Sequence, residues 1–297
     1  MKTKMDFYPF SLHYPVQIAI LLFVIIFLLR MVEVFVLRLD ELWGEVFLSK
    51  FLGFLLIIAY LWFVKRKIRD IGFHANDLLP SLSIALVMMV ISLTFSYLAE
   101  WIYLTQRGLQ PSFIIAPLSN ALDAEYALKG GFLFGLWLIF GNTINSLMEE
   151  GLFRGLMVTH FRVRLSFWKA NFLQAFFFGF WHIIWPIKSY MMGQMSAQEA
   201  IFVSIAYIIS SGIIALVWGY QFLKTGNLWA PWLAHTLNNS TMNLVHTVTS
   251  EGFDTGFMLR MGVLPFIALL TVLLVRWMAG YYNLPALKKW DEQMDRN

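Results

Sequence analysis

Eight stretches of about 20 mostly apolar residues follow one another along this 297-residue chain, at roughly 15–37, 45–64, 80–104, 131–157, 167–187, 200–223, 228–249 and 259–280. A helix needs about 20 such residues to cross the hydrocarbon core of a bilayer. Only helices and closed barrels satisfy their backbone polar groups there. The repetition therefore predicts an all-α polytopic membrane protein, a bundle of about eight transmembrane helices. Composition agrees: 59% of residues are hydrophobic and 13% charged, against about 25% charged in soluble chains. The 28 Phe and 12 Trp suit lipid-facing surfaces and membrane interfaces. The run 15–37 is too long for a signal-peptide core and no small-residue cleavage site follows it, so it reads as a retained first span. The absence of cysteine excludes disulfides and thiolate metal sites. Nothing in the chain suggests nucleic-acid binding; the lipid bilayer is the expected surroundings.

The loops give an orientation. If the spans alternate, 14 Lys and Arg fall on one side: Lys2 and Lys4, the run 65–69, residues around the 4–5 gap, Lys224, and the C-terminal end. Five fall on the other: Arg38, Arg107, Lys129, Lys188 and Arg260. Positive charge is retained in the cytoplasm, so both termini are expected there. The longest loop, about 105–130, holds Gly108, Pro111, Pro117, Asp123 and Glu125. The expected organisation is an N-terminal region of about three spans (1–130), a second helical region (131–285) and a charged cytoplasmic tail (286–297), read as solvated.

Charged groups inside a span are costly and usually face a bundle interior or wet cavity. Three clusters break the apolar pattern. The first is Glu149-Glu150-Gly-Leu-Phe-Arg154 in span four. Glu150 and Arg154 are four apart and can pair, while Glu149 lies about 100° round the axis and stays available. Asn145 shares the face of Glu149, and Asn142 lies a turn earlier. The second cluster is Phe178-Gly-Phe-Trp-His182 in span five, where Trp185 and Pro186 mark an end or break. The third is His235-Thr-Leu-Asn-Asn239 in span seven, with His235 and Asn239 on one face, Pro231 compatible with a first turn and Asn227 as a cap. Each cluster alone is compatible with a helix-end ion pair, a structural histidine or interhelical hydrogen bonding. Arg30 with Glu33, His246 on the face of Asn239, and His13, His74 and His160 are read as structural or solvated.

Together the clusters point to chemistry. Amide hydrolysis needs a base for water and donors for the developing oxyanion. A glutamate beside a histidine supplies the first, and a histidine with an asparagine amide one turn away supplies the second. Alternatively Glu149, His182 and His235 could hold zinc with an open position for water; the soluble H-E-x-x-H signature is absent. One depth mismatch stands out. Glu149 lies near the cytoplasmic end of span four as drawn, whereas His182 is some 15 residues into span five, over 20 Å deep at 1.5 Å per residue.

The order E-E-x-x-x-R, F-x-x-x-H, H-x-x-x-N, each on its own membrane helix over about 130–250, resembles the CPBP family, which comprises type II CAAX prenyl endopeptidases and bacterial bacteriocin-processing or Abi proteins. Glu149, Glu150 and Arg154 match the first motif, Phe178 and His182 the second, His235 and Asn239 the third. The resemblance implies an intramembrane endopeptidase. Glu149 with His182 would activate water, His235 and Asn239 would form the oxyanion hole, and Glu150, Arg154 and Phe178 would support them. It implies a metal-free glutamate mechanism, with zinc on Glu149, His182 and His235 as the alternative. Expected partners are a peptide or protein substrate, prenylated or a bacteriocin or signal-peptide precursor, and the expected setting is a bacterial cytoplasmic membrane. Two other readings are a non-catalytic immunity or scaffold protein, against which the intact constellation argues, and a transporter, for which no internal repeat speaks.

Overall fold

The computed structural model describes residues 8–118 and 124–290. In chain order the helices are α1 (Tyr8–His13), α2 (Pro15–Met31), α3 (Leu39–Trp43), α4 (Leu48–Phe63), α5 (Leu78–Gln106), α6 (Ala124–Glu150), α7 (Thr159–Phe161), α8 (Phe167–Trp181), α9 (Ile184–Met191), α10 (Ala197–Thr225), α11 (Trp229–Leu244) and α12 (Phe257–Tyr281). Three short strands, β1 (Ser112–Ile115), β2 (Val245–Thr249) and β3 (Gly252–Phe253), form an antiparallel sheet in the order β1-β2-β3. The protein is an all-α polytopic membrane protein with a small sheet. Among the described residues five helical segments are long and apolar enough to cross a bilayer: Pro15–Leu37, Leu78–Gln106, Gly131–Phe161, Ala197–Thr225 and Phe257–Tyr281. The expected second, fifth and seventh spans are the shorter helices α4, α8 and α11, of which α4 is a short apolar helix.

The helix boundaries follow local chemistry. α6 kinks at Gly131, whose φ of 52° lies in the left-handed region, where glycine carries no steric penalty. Beyond Glu150 the helix widens into a π-helical stretch, Gly151–Val158, and ends at Phe161 in α7. Such widened turns often mark functional sites. Span four therefore continues 12 residues past Glu149, about 18 Å, while His182 lies 15 residues from the start of α8, about 23 Å. The expected depth mismatch shrinks to a few ångströms. The continuous span five expected to 187 is broken at His182–Ile183, and α9 begins at Ile184. Gly179 brings the end of α8 against α10: a Cβ there would lie 2.4 Å from the Ile208 carbonyl oxygen.

Span seven ends sooner than its hydropathy suggests. After Leu244 the β-branched run Val-His-Thr-Val-Thr leaves the helix and pairs as β2 with β1, Ile115 opposite Val245 and Ser112 opposite Val248, in keeping with the preference of such residues for extended backbone. His246 is thus a strand residue and not on the helical face of Asn239. It is held by Asp254 at 2.6 Å and the Ala116 carbonyl at 3.1 Å. Asp254 also takes Arg260, whose Nη1 donates to Glu100 on α5 at 3.1 Å. This buried network ties the sheet to α5 and α12.

Contacts between loops agree with alternating spans. Arg66 from the 2–3 loop donates to the Trp290 carbonyl, Arg162 from the 4–5 gap donates to that of Leu287, and the Leu287 N–H donates to Leu223. At the other end Lys188 pairs with Asp40 and Glu41, and Arg107 with Glu251. The first part of the C-terminal tail is therefore packed and not solvated: Leu287 and Trp290 are buried, and Trp290 stacks on His160. His160 is itself buried and bonded to Tyr60 at 2.6 Å. Lys2, Lys4, Asp123 and residues 291–297 lie outside the described residues.

Candidate active site

One cavity of about 180 Å³ collects the chemistry, and Glu149, His182, His235 and Asn239 all line it. Each comes from a different part of the bundle: Glu149 from the end of α6, His182 from the C-terminus of α8, and His235 and Asn239 from one face of α11. α11 is positioned by its own start, where the Asn227 side chain accepts the Trp229 N–H at 3.0 Å and donates to the carbonyls of His74 and Asn76. The capping position itself is Leu228, without a side-chain cap, so Asn227 acts one residue earlier, in the turn that anchors the helix to the loop before α5.

Glu149 and Glu150 have different surroundings, as their 100° separation requires. Glu150 Oε1 accepts from Arg154 Nη1 at 3.1 Å and from His235 Nδ1 at 2.8 Å. The Arg154 guanidinium rests against the rings of Phe178 and Trp218, 4.3 and 5.3 Å from their centroids. Phe178 supports the site twice, since its carbonyl accepts His182 Nδ1 at 2.8 Å. Glu149 Oε1 accepts from Trp181 Nε1 at 2.9 Å and forms an ion pair with Lys50 of α4. Its Oε2 has no hydrogen-bond partner among the described residues and faces His235 Nε2 at 3.6 Å.

These contacts fix the imidazoles. A carboxylate paired to arginine and a backbone carbonyl are acceptors only. Nδ1 of His235 and of His182 therefore carries the proton, and both Nε2 atoms are left for the cavity. Of the two, His235 approaches Glu149, while His182 lies on the cavity wall stacked parallel to Tyr207 at 6.4 Å. The asparagine of the third motif accepts through Oδ1 from Asn238 at 3.1 Å, and its amide nitrogen has no protein partner among the described residues. Asn145 donates to Glu45 at 2.9 Å, and Asn142 to Asn243 at 3.0 Å.

Three site residues escaped the reading of the motifs: Lys50, Glu45 and Arg30, all contributed by the N-terminal region. Arg30 does not pair with Glu33. The Glu33 carboxylate instead caps the start of α4, accepting the N–H groups of Phe47, Leu48 and Ser49 at 2.6–2.9 Å, and Arg30 donates to the Trp181 carbonyl at 2.7 Å. A signal for two of them existed. Of the 22 Lys and Arg, the 19 assigned to the two sides leave Arg30, Lys50 and Arg154, and all three converge on this site. Among the described residues no group of three His, Asp or Glu side chains is placed to hold a metal ion. Glu149, His182 and His235, the residues of the zinc alternative, line one cavity but form no such group.

Residues 131–241, which carry all three motifs, match the family model described as Type II CAAX prenyl endopeptidase Rce1-like. No curated protein and no solved structure matches the chain.

Proposed function

We propose, from the match of residues 131–241 to the type II CAAX prenyl endopeptidase Rce1-like family model, that the chain is a membrane protease that hydrolyses a peptide bond of a membrane-associated, prenylated or precursor peptide by a glutamate mechanism. The observation that carries this reading is the asymmetry of the two glutamates. Glu150 lies behind the cavity wall, with Oε1 bonded to Arg154 and His235, whereas Glu149 lines the cavity with an Oε2 that has no hydrogen-bond partner among the described residues and faces His235 Nε2 at 3.6 Å.

In this reading Glu149 Oε2 takes the proton of a water whose oxygen attacks the scissile carbonyl. His182, with Nε2 open to the cavity, helps position that water. The carbonyl oxygen becomes an oxyanion, held by the Asn239 amide and by His235 through Nε2; to donate there His235 carries its second proton, and the Glu150 carboxylate behind Nδ1 balances that charge. The C–N bond then breaks and Glu149 returns its proton to the leaving amine. Oxyanion donors of this kind contribute about 10²- to 10³-fold in kcat. The charge bias of the loops supports cytoplasmic termini, and the setting in this reading is a bacterial cytoplasmic membrane. A bacteriocin or signal-peptide precursor stands beside a prenylated peptide as substrate.

The test is cleavage of farnesylated CAAX peptides and unprenylated precursor peptides by the purified protein, with the products mapped by mass spectrometry. One internal cut that disappears on Glu149→Gln supports the proposal. Binding without any cut by the wild type would favour the scaffold reading.

A further inference from the structure

Arg30 differs from the other two cations of the site. Lys50 is paired with Glu149 and Arg154 with Glu150. Arg30, only 3% exposed and lining the same cavity, has no ion pair among the described residues. Its guanidinium donates to the Trp181 carbonyl and rests on the rings of Trp181 and Trp185 at 4.4 and 5.6 Å. Its Nε has no partner among the described residues. The acidic groups around it are engaged elsewhere: Glu33 with the α4 backbone, Glu45 with Asn145 and Asp40 with Lys188. A buried cation without a counter-ion is costly in a membrane interior, and a guanidinium presents a fork suited to a carboxylate.

We propose that Arg30 is a substrate-anchoring residue that binds the carboxylate at the C-terminus of the peptide being cleaved. Two observations make that anion the end of a chain. Trp181 joins the two functions, with its ring under Arg30 and its Nε1 donating to Glu149 at 2.9 Å. Arg30 is thus one indole away from the base, a gap spanned by one to three extended residues of about 3.3–3.6 Å each. The cavity, about 180 Å³ and lined on this side by Arg30 and Trp185, is smaller than the roughly 300–1,000 Å³ of ordinary ligand pockets, a size that suits a short terminal segment better than a long one. The proposal rests on the protease reading for the identity of its ligand, and gives the N-terminal region a part in choosing substrates cut close to their C-terminus.

Binding separates the two ideas. A fluorescent farnesylated tetrapeptide with a free C-terminal carboxylate, and the same peptide as its C-terminal amide, are titrated onto full-length Glu149→Gln and Glu149→Gln/Arg30→Met in detergent. The acid is expected to bind about tenfold more tightly than the amide, as for a charge-assisted hydrogen-bonded pair, and the Arg30→Met background to bring that ratio to about one. Arg30→Lys, which keeps the charge without the fork, retains part of it. Equal affinity for acid and amide in the Arg30-containing protein, or a loss in Arg30→Met that lowers both peptides and keeps their ratio, would overturn the proposal and leave Arg30 a structural cation. Preferential binding of the acid by wild type that cleaves neither peptide would instead sink the protease reading and leave the carboxylate site standing.

Discussion

His235 is held through Nδ1 by Glu150 Oε1 at 2.8 Å, and the same ring turns Nε2 toward Glu149 at 3.6 Å. The two adjacent glutamates thus act on opposite sides of one imidazole. Glu150→Gln keeps the shape but removes the charge that balances the doubly protonated His235 and leaves Arg154 unpaired. Loss of one oxyanion donor costs about 10²- to 10³-fold in kcat, so a fall of about 10² is expected here, with KM little changed. Steady-state kinetics on a cleavable peptide checks it; unchanged kcat would remove the doubly protonated His235 from the mechanism.

The Lys50–Glu149 pair makes a separate prediction about stability. Removing one partner of a buried ion pair leaves an uncompensated charge and costs about 3–5 kcal/mol, whereas neutral replacement of both is often tolerated. Lys50→Met is therefore expected to lower Tm by several degrees, and Lys50→Met/Glu149→Gln to recover most of the loss. A double-mutant cycle by thermal denaturation in detergent measures the coupling. Additive losses would show that the two groups do not stabilise each other.

Chelation tests the chemistry from another side. Glu149, His182 and His235 line one cavity without clustering as ligands, so cleavage is expected to survive prolonged treatment with phenanthroline or EDTA within about twofold. Loss of activity that returns on adding zinc would contradict the glutamate mechanism.

Away from the cavity, Asp254 ties β2 to α12. Burial pushes its carboxyl up, but the hydrogen bond from His246 and the charge of Arg260 outweigh it and hold the group below the usual carboxylate range. A carboxyl depressed in the folded state stabilises the fold above its unfolded value, about 3.9. That contribution is lost as pH falls through the folded value. Asp254→Asn should therefore lower Tm at neutral pH and show a smaller further decrease between pH 5 and 3 than wild type. Parallel pH profiles of Tm for the two proteins would contradict the assignment.

The helices and the motif-bearing faces were legible because bilayer length and the i,i+4 relation act locally. Glu150–Arg154 pairs as its spacing requires, and Glu149, His182, His235 and Asn239 reach one cavity. What escaped depended on neighbours distant in sequence. Lys50 meets a carboxylate 99 residues away, and Arg30 donates to a carbonyl 151 residues away; no periodicity within one helix reports which other helix it faces. The sheet was hidden for another reason. Val245–Thr249 continues an apolar run, and short apolar runs do not distinguish strand from helix end. Trp290 was read as part of a charged tail, yet its indole is covered by His160 and Arg66.

The central claim, that Glu149 is the base for water, is tested most directly by single-turnover cleavage of a farnesylated CAAX peptide by wild type and Glu149→Gln, each verified as folded by size exclusion and by binding the uncleaved peptide. Loss of a positioned base predicts a fall in the cleavage rate of about 10²- to 10⁴-fold with binding retained. Glu149→Gln that cuts the same bond at the wild-type rate would contradict the account.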